Sequence, residues 1–207
     1  QLKYGLRELG TADGRDYEYE DLQKLSELDK KALRERRVIN STIAAKKTPA
    51  GLILSEEEDA GIVLNGTDHI RIQLLSAGMH LEELWKQADR IDDFINEKFE
   101  YAFDEKYGYL TSFPTNMGTG LRASVVLHLP SLSMGKKFHG LTSEMSRFGA
   151  TVRSVYGDEN ENYGALYEVS NQKTLGISEK EILDLVTRVA LQLSAQEAQV
   201  RKMAMEK

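Results

Sequence analysis

Apolar and polar positions alternate along this chain in two rhythms, and each rhythm predicts a kind of element. Between 81 and 103, Leu81, Leu84, Trp85, Ala88, Ile91, Ile95 and Phe99 recur at helical spacing and predict an amphipathic helix with a core-facing stripe. Upstream, the short apolar segments GLILS, AGIVLN and HIRIQLL are separated by polar or glycine turns and predict an antiparallel meander. Residues two apart share a strand face. Across VLNGTDHIRIQ (63–73), read as strand, His69, Arg71 and Gln73 therefore line one face, and Ile70 and Ile72, with Leu74 beyond, line the other. The segment LRASVVLHL predicts a further strand, with Arg122, Ser124, Val126 and His128 opposite Ala123, Val125, Leu127 and Leu129. ATVRSVY and ALYEVS predict a hairpin pair joined by the polar loop GDENENYG.

The rest of the chain fills in around these elements. Residues 1–19 have no clear period and read as loop or linker; residues 20–37 suit a charged helix with Leu22, Leu25, Leu28 and Leu33 on its stripe. KKTPAG is a breaker, and GYLTSFPTNMGTG is an irregular glycine-rich loop. Pro130 ends a strand. A helix to about 148 then carries Met134, Phe138, Leu141, Met145 and Phe148 on one face, with Gly149 as its C′ residue. A last helix, from 179 to about 200, opens on the capping box Ser178–Glu181. The order predicts an α+β fold with helices packed on one side of an antiparallel sheet. It is divided into an N-terminal linker and helix at 1–48 and a compact domain at 49–207.

Composition narrows the function classes. The 207 residues carry a net charge of −6, which argues against a general nucleic-acid or membrane-surface binder. There is no cysteine, hence no disulfide, zinc thiolate or thiol nucleophile. No apolar run reaches the roughly 18 residues a membrane span needs. No signal peptide is visible, so a cytoplasmic protein is the default expectation.

The polar strand residues carry the candidate chemistry. Arg71, Arg122 and Arg153 each sit in the body of a different predicted strand. A guanidinium buried without a partner is costly. Either each arginine points to solvent, or the three converge on a polyanion such as a triphosphate, whose oxygens suit bidentate guanidinium forks. No P-loop and no GxGxxG opening a helix is present. His69, His80, His128 and His139 show no metal-ligand spacing, and His69 and His128 read as packed or hydrogen-bonded sheet residues. No GxSxG nucleophile elbow occurs.

The stretch GYLTSFPTNMGTGLRASVVLHLP resembles the signature region of the phosphagen kinases, the ATP:guanidino phosphotransferases, which read CPTN-x-GT-x-x-RAS there. NGTDHIRIQ resembles the family's NEEDH-x-R-I segment, and RSVYGDENENYGALYEVSNQKTLG its RG-x-x-GE loop and following IxNxxxLG strand. YAFDEKYGYLTS and GTGLRAS look closest to the bacterial protein-arginine kinase branch. The resemblance runs from about residue 35 to the C-terminus. It implies a glutamine-synthetase-like guanidino kinase catalytic domain, with ATP or ADP and Mg2+ on the concave face of an antiparallel sheet flanked by helices. It also implies transfer of the γ-phosphoryl to a guanidino nitrogen, in that branch an arginine of a protein. By the same match, Arg71, Arg122 and Arg153 clamp phosphate. Arg122, Ala123, Ser124, Val125 and Val126, with Arg153, Ser154, Val155, Tyr156, Gly157 and Asp158, are nucleotide-contacting. Asp68 lies near the hydration shell of magnesium.

The chain departs from this pattern where the acceptor would be activated. A glutamate that orients the guanidinium and takes its proton belongs at Thr67; a second belongs at Asp158, one methylene shorter; the signature cysteine is Phe113. Gly66 replaces another acidic residue, and a histidine expected near adenine is Arg37. Losing a positioned base typically costs about 10²–10⁴ in rate. The family's N-terminal helical domain and its SRxR segment precede anything in this chain. The expectation is a trimmed polypeptide or a second subunit that supplies them. Two readings follow: a transferase with impaired activity, or a nucleotide-binding pseudokinase or regulatory module paired with a complete kinase. A third, an unrelated structural domain with a solvated sheet face, is the alternative to both. Dimerisation is a family expectation.

Overall fold

A computed structural model describes residues 2–135, 138–156 and 163–206. By internal contacts the chain forms two units, residues 1–102 with 111–114, and residues 103–110 with 115–207.

The first unit contains α1 (Leu6–Asp13), β1 (Tyr17–Asp21), α2 (Glu27–Glu35), α3 (Ser41–Ala44), β2 (Gly51–Ser55), β3 (Ala60–Leu64), β4 (Ile70–Leu74) and α4 (Leu81–Asn96). The predicted meander is present as β2, β3 and β4, and β1 extends it to an antiparallel sheet of order β1-β2-β3-β4. Opposed residues share a face. Leu52 and Val63 turn to a core with Leu33, Ile39 and Ile43 of the α2–α3 region. Ile53 and Ile62 turn the other way, to Leu9 of α1 and Ile91 and Ile95 of α4. The near-continuous apolar runs of β2 and β3 reflect this double burial. Helices thus cover both faces of this sheet, not one as expected. Ile70, Ile72 and Leu74 join the α4 side, as their alternation predicts.

Four expectations change in this unit. Residues 1–19 are not linker: α1 buries Leu9 and β1 buries Tyr17, elements too short to reveal a period. Because β1 pairs with β2 residue by residue, a boundary at 48/49 would cut through the sheet. The charged helix starts only at Glu27, because Ser26 and Asp29 close a capping box there. Leu22 is still buried, from the segment before the helix, whereas Leu28 is 76% exposed. The α4 stripe is as predicted, but the helix stops at Asn96, and Phe99 and Tyr101 reach the core from the chain beyond it.

The second unit contains β5 (Phe103–Asp104), β6 (Gly108–Tyr109), β7 (Ser124–His128), α5 (Pro130–Ser133), α6 (Phe138–Arg147), β8 (Ala150–Ser154), β9 (Leu166–Asn171) and α7 (Glu179–Met205). Its main sheet is antiparallel in the order β7-β9-β8. Val125, Val169 and Val152 align on one face, and Val126, Glu168 and Arg153 on the other. The valine face lies under α6 and α7: Val169 is fully buried, and the Phe138 ring meets Tyr167 edge-on at 4.7 Å. The opposite face holds the exposed Val126, His128 and Arg153.

The Ser178–Glu181 capping box forms as predicted, and α7 continues to Met205. Gly149 has φ +90°, the left-handed geometry expected after α6. The single helix predicted after Pro130 is two. Pro130 occupies the first turn of α5, which its missing N–H allows. Met145 is buried, but Met134 and Phe148 are 88% and 65% exposed.

Candidate functional site

In the first unit the polar stretch after β3 is a turn, not the strand predicted over 63–73. Strand β3 ends at Leu64 and β4 starts at Ile70. Asn65 takes a left-handed φ of +55°, and its N–H donates to the His69 carbonyl at 2.7 Å, closing the turn. The Asn65 side chain donates to the Pro49 carbonyl at 2.6 Å, and Lys46 Nζ donates to the Gly66 carbonyl at 2.6 Å. Thr67 and His69 are exposed in this pinned turn. Asp68 is half-buried, and its Oδ1 accepts the Ser112 N–H at 2.8 Å. That bond ties the turn to the segment 111–114, where Phe113 is 48% exposed and its carbonyl accepts the Thr111 hydroxyl at 2.7 Å. Thr67 and Phe113 are thus each one residue from a directly bonded pair.

Arg71 is exposed on β4, the edge strand, opposite Val63. Two residues on, Gln73 Nε2 donates to the Arg37 carbonyl, so Arg37 adjoins the face of β4 that carries Arg71. Arg37 itself has a left-handed φ of +66°.

In the second unit Arg122 and Ala123 lie ahead of β7, not within a strand. Of the three arginines, Arg71 and Arg153 keep their predicted place in a strand. Arg122 is exposed, and its Nη1 donates to the Asn171 carbonyl at 3.0 Å. Ser124, Val125 and Val126 begin β7, and Arg153 is exposed on β8 opposite Glu168. Strand β8 ends at Ser154, whose hydroxyl donates to the Tyr156 carbonyl at 2.6 Å. The Val155 N–H donates to the Leu166 carbonyl at 3.0 Å. Gly157 and Asp158 lie outside the described residues.

His69 and His128 are exposed, not packed. Among the described residues no three His, Cys, Asp or Glu side chains form a metal-binding group. No helix among them is long and apolar enough to cross a membrane.

Sequence reasoning missed the residues that hold these segments in place. Asn171 and Thr174 are buried; Asn171 bonds residues 121–123 ahead of β7, and Thr174 bonds the glycine-rich loop before them. A signal for Asn171 was present. It continues the alternation Tyr167, Val169 on the helix-covered face, so it is a polar side chain at a core position and needs partners. The Ser112 contribution is a backbone N–H, which no residue type announces.

The model of the ATP:guanido phosphotransferase C-terminal catalytic domain matches residues 6–200. The chain is 44% identical over 173 residues to a protein-arginine kinase of Clostridium kluyveri, covering 84% of this chain and 50% of that protein. It is 42% identical over 185 residues to a protein-arginine kinase of Caldanaerobacter subterraneus subsp. tengcongensis, covering 89% and 55%. The chain therefore spans about half the length of the curated relatives it matches. Its fold is similar to that of lombricine kinase, with a TM-score of 0.75 at 22% identity over 97% of this chain and 60% of that one. A duplicated taurocyamine kinase from Schistosoma mansoni gives 0.75 at 24% identity over 96% and 29%.

Proposed function

The chain belongs to the ATP:guanido phosphotransferase family, and from that premise we propose that it transfers the terminal phosphoryl group of ATP to an arginine side chain of a protein, at a reduced rate. In the reaction a guanidino nitrogen forms a bond to the γ-phosphorus and the bond to the β,γ-bridging oxygen breaks. ADP leaves and the nitrogen gives up a proton to water. The protein-arginine kinases to which the chain is similar support the choice of acceptor.

Arg71 in the first unit and Arg122 and Arg153 in the second are the proposed phosphate ligands, each exposed and each able to present a planar fork of donors. The segments 122–126 and 153–158 are the proposed nucleotide contacts. Magnesium, bound to ATP, would neutralise phosphate charge as the phosphoryl group moves. A site for it made largely of phosphate oxygens and water suits a chain whose described residues offer no carboxylate cluster. Asp68, with Oδ1 already held by Ser112, is the carboxylate proposed to bond a magnesium-bound water.

The reduced rate rests on one observation, the Asp68–Ser112 bond. It joins the turn of Thr67 to the segment of Phe113, so the two departures at the acceptor end fall in one locality. A threonine hydroxyl neither attracts a guanidinium by charge nor takes its proton near neutral pH, and a phenyl ring offers no thiol. Asp158 is the remaining proposed carboxylate.

The test is an ADP and ATP titration beside a phosphotransfer assay on an arginine-rich protein. Binding with slow arginine phosphorylation is the expected result. No binding at millimolar nucleotide overturns the proposal, and rapid transfer overturns its reduced rate. Binding with no transfer supports a second reading, a nucleotide-binding pseudokinase or regulatory module whose partner is a complete kinase. The lack of a carboxylate at Thr67 favours that reading. Residence in the cytoplasm and a homodimer, checked by sedimentation, belong to the same proposal.

A further inference from the structure

We propose that Asn171 is a positioning residue of the nucleotide site, setting the direction of the Arg122 guanidinium; the proposal rests on the reading of Arg122 as a phosphate ligand. Asn171 ends β9 and is 1% exposed. A buried amide must find partners, and this one spends its side chain on the strand's own continuation and on the segment that carries Arg122. Its Oδ1 accepts the Ala123 N–H at 2.9 Å, and its Nδ2 donates to the carbonyls of Leu121 at 3.0 Å and Lys173 at 2.9 Å. The peptide groups on both sides of Arg122 are therefore fixed by one side chain. The Asn171 carbonyl then accepts Arg122 Nη1 at 3.0 Å, which leaves the other N–H groups of the guanidinium for a ligand.

Thr174 extends the anchor upstream. It is 3% exposed, its hydroxyl lies 3.0 Å from the Thr115 carbonyl and 2.6 Å from that of Met117, and its own carbonyl accepts the Thr119 N–H at 3.0 Å. Gly118, at φ +96°, lies so close that a Cβ there would meet the Thr174 carbonyl oxygen at 2.3 Å. The loop 115–123 is thus docked along residues 171–174. An arginine held in its binding direction beforehand loses less freedom when it binds.

Asparagine suits the position because it accepts one N–H and donates to two carbonyls. Aspartate would set a carboxylate against the Leu121 and Lys173 carbonyls, and serine can keep only part of the set. The experiment is a double-mutant cycle in ADP affinity with Asn171→Ser and Arg122→Ala, alone and together. The order of the Arg122 Nε–H group in wild type and Asn171→Ser is followed by NMR relaxation. Asn171→Ser is expected to weaken ADP about tenfold, the scale of one charge-assisted hydrogen bond, and to add little in the Arg122→Ala background. Arg122 Nε–H order should fall with or without ADP. Unchanged ADP affinity, or an equal loss in both backgrounds, overturns the inference. If wild type binds no ADP while Arg122 order still falls in Asn171→Ser, the phosphate reading fails and the positioning survives. If Asn171→Ser does not fold, Thr174→Val carries the same cycle, with the same two results overturning it.

Discussion

The two main sheets of this protein differ in what their faces are for. The sheet β1-β2-β3-β4 buries apolar residues on both faces of its inner strands, so its polar side chains gather on the edge strands β1 and β4 and in the turn 65–69. The sheet β7-β9-β8 buries one face under α6 and α7 and leaves Val126 and Arg153 exposed on the other. The first can offer a ligand only its rim; the second has a face to offer. Of the proposed nucleotide contacts, Ser124, Val126 and Arg153 belong to that face, whereas Thr67 and Phe113, the residues at the proposed acceptor positions, sit in the first unit.

The largest effect expected from this contrast is on stability. Ile53 is fully buried in the sheet covered on both sides, and Ile53→Ala should cost about 3–4 kcal/mol, whereas Val126→Ala on the open face should cost under about 1 kcal/mol. Urea unfolding of both variants measures this, and equal losses would erase the distinction between the sheets. The rim is tested next. Thr67→Glu combined with Phe113→Cys is expected to raise arginine phosphorylation about 10²-fold without changing ADP affinity. No gain would remove Thr67 and Phe113 as the source of the proposed reduced rate.

Each unit also has an acidic anchor of its own. In the second, the 4%-exposed Glu197 accepts the N–H groups of Ser131 at 3.1 Å and Leu132 at 2.7 Å and bonds Arg201 at 3.0 Å. Burial pushes its pKa up, but the backbone bonds and Arg201 more than offset this and hold it below the usual carboxylate range. Glu197→Ala leaves the first N–H groups of α5 unpaired and should cost about 2 kcal/mol in urea unfolding.

In the first unit the Arg15 guanidinium, bonded to Asp59 at 2.9 Å, holds the Asp59 carboxyl below the usual range, with Ser55 assisting. A depressed folded-state pKa stabilises above the unfolded value, near 4, and that contribution is lost as pH falls through the folded value. Asp59→Asn should therefore flatten the decline of the urea midpoint below about pH 4. The effect is the smallest of the four, because the Asp59 side chain is 37% exposed. An unchanged acid slope in Asp59→Asn would remove Asp59 as the anchor.

Much of this was legible in the chain. The meander, the α4 stripe, the Gly149 terminus and the Ser178–Glu181 box depend on neighbours within a few residues, and all formed where expected. The parts that were not legible depend on distant partners. β1 is polar on its outer side and exists because β2 offers it an edge. The turn 65–69 is made by a left-handed Asn65 together with Lys46 and Pro49. Arg122 leaves the strand because Asn171 captures the peptides around it.

Long motifs such as PTNMGTGLRAS carry the family in the chain alone, and the alternation of residues on β4 and β7 is legible there too. The chain also places threonine and phenylalanine at the proposed acceptor positions, Thr67 and Phe113. Which faces stay open, and which residues brace the candidate site, follow from packing between distant parts of the chain. Alternation is a local property of the pleated backbone. Burial and hydrogen-bond satisfaction depend on what the rest of the chain brings alongside.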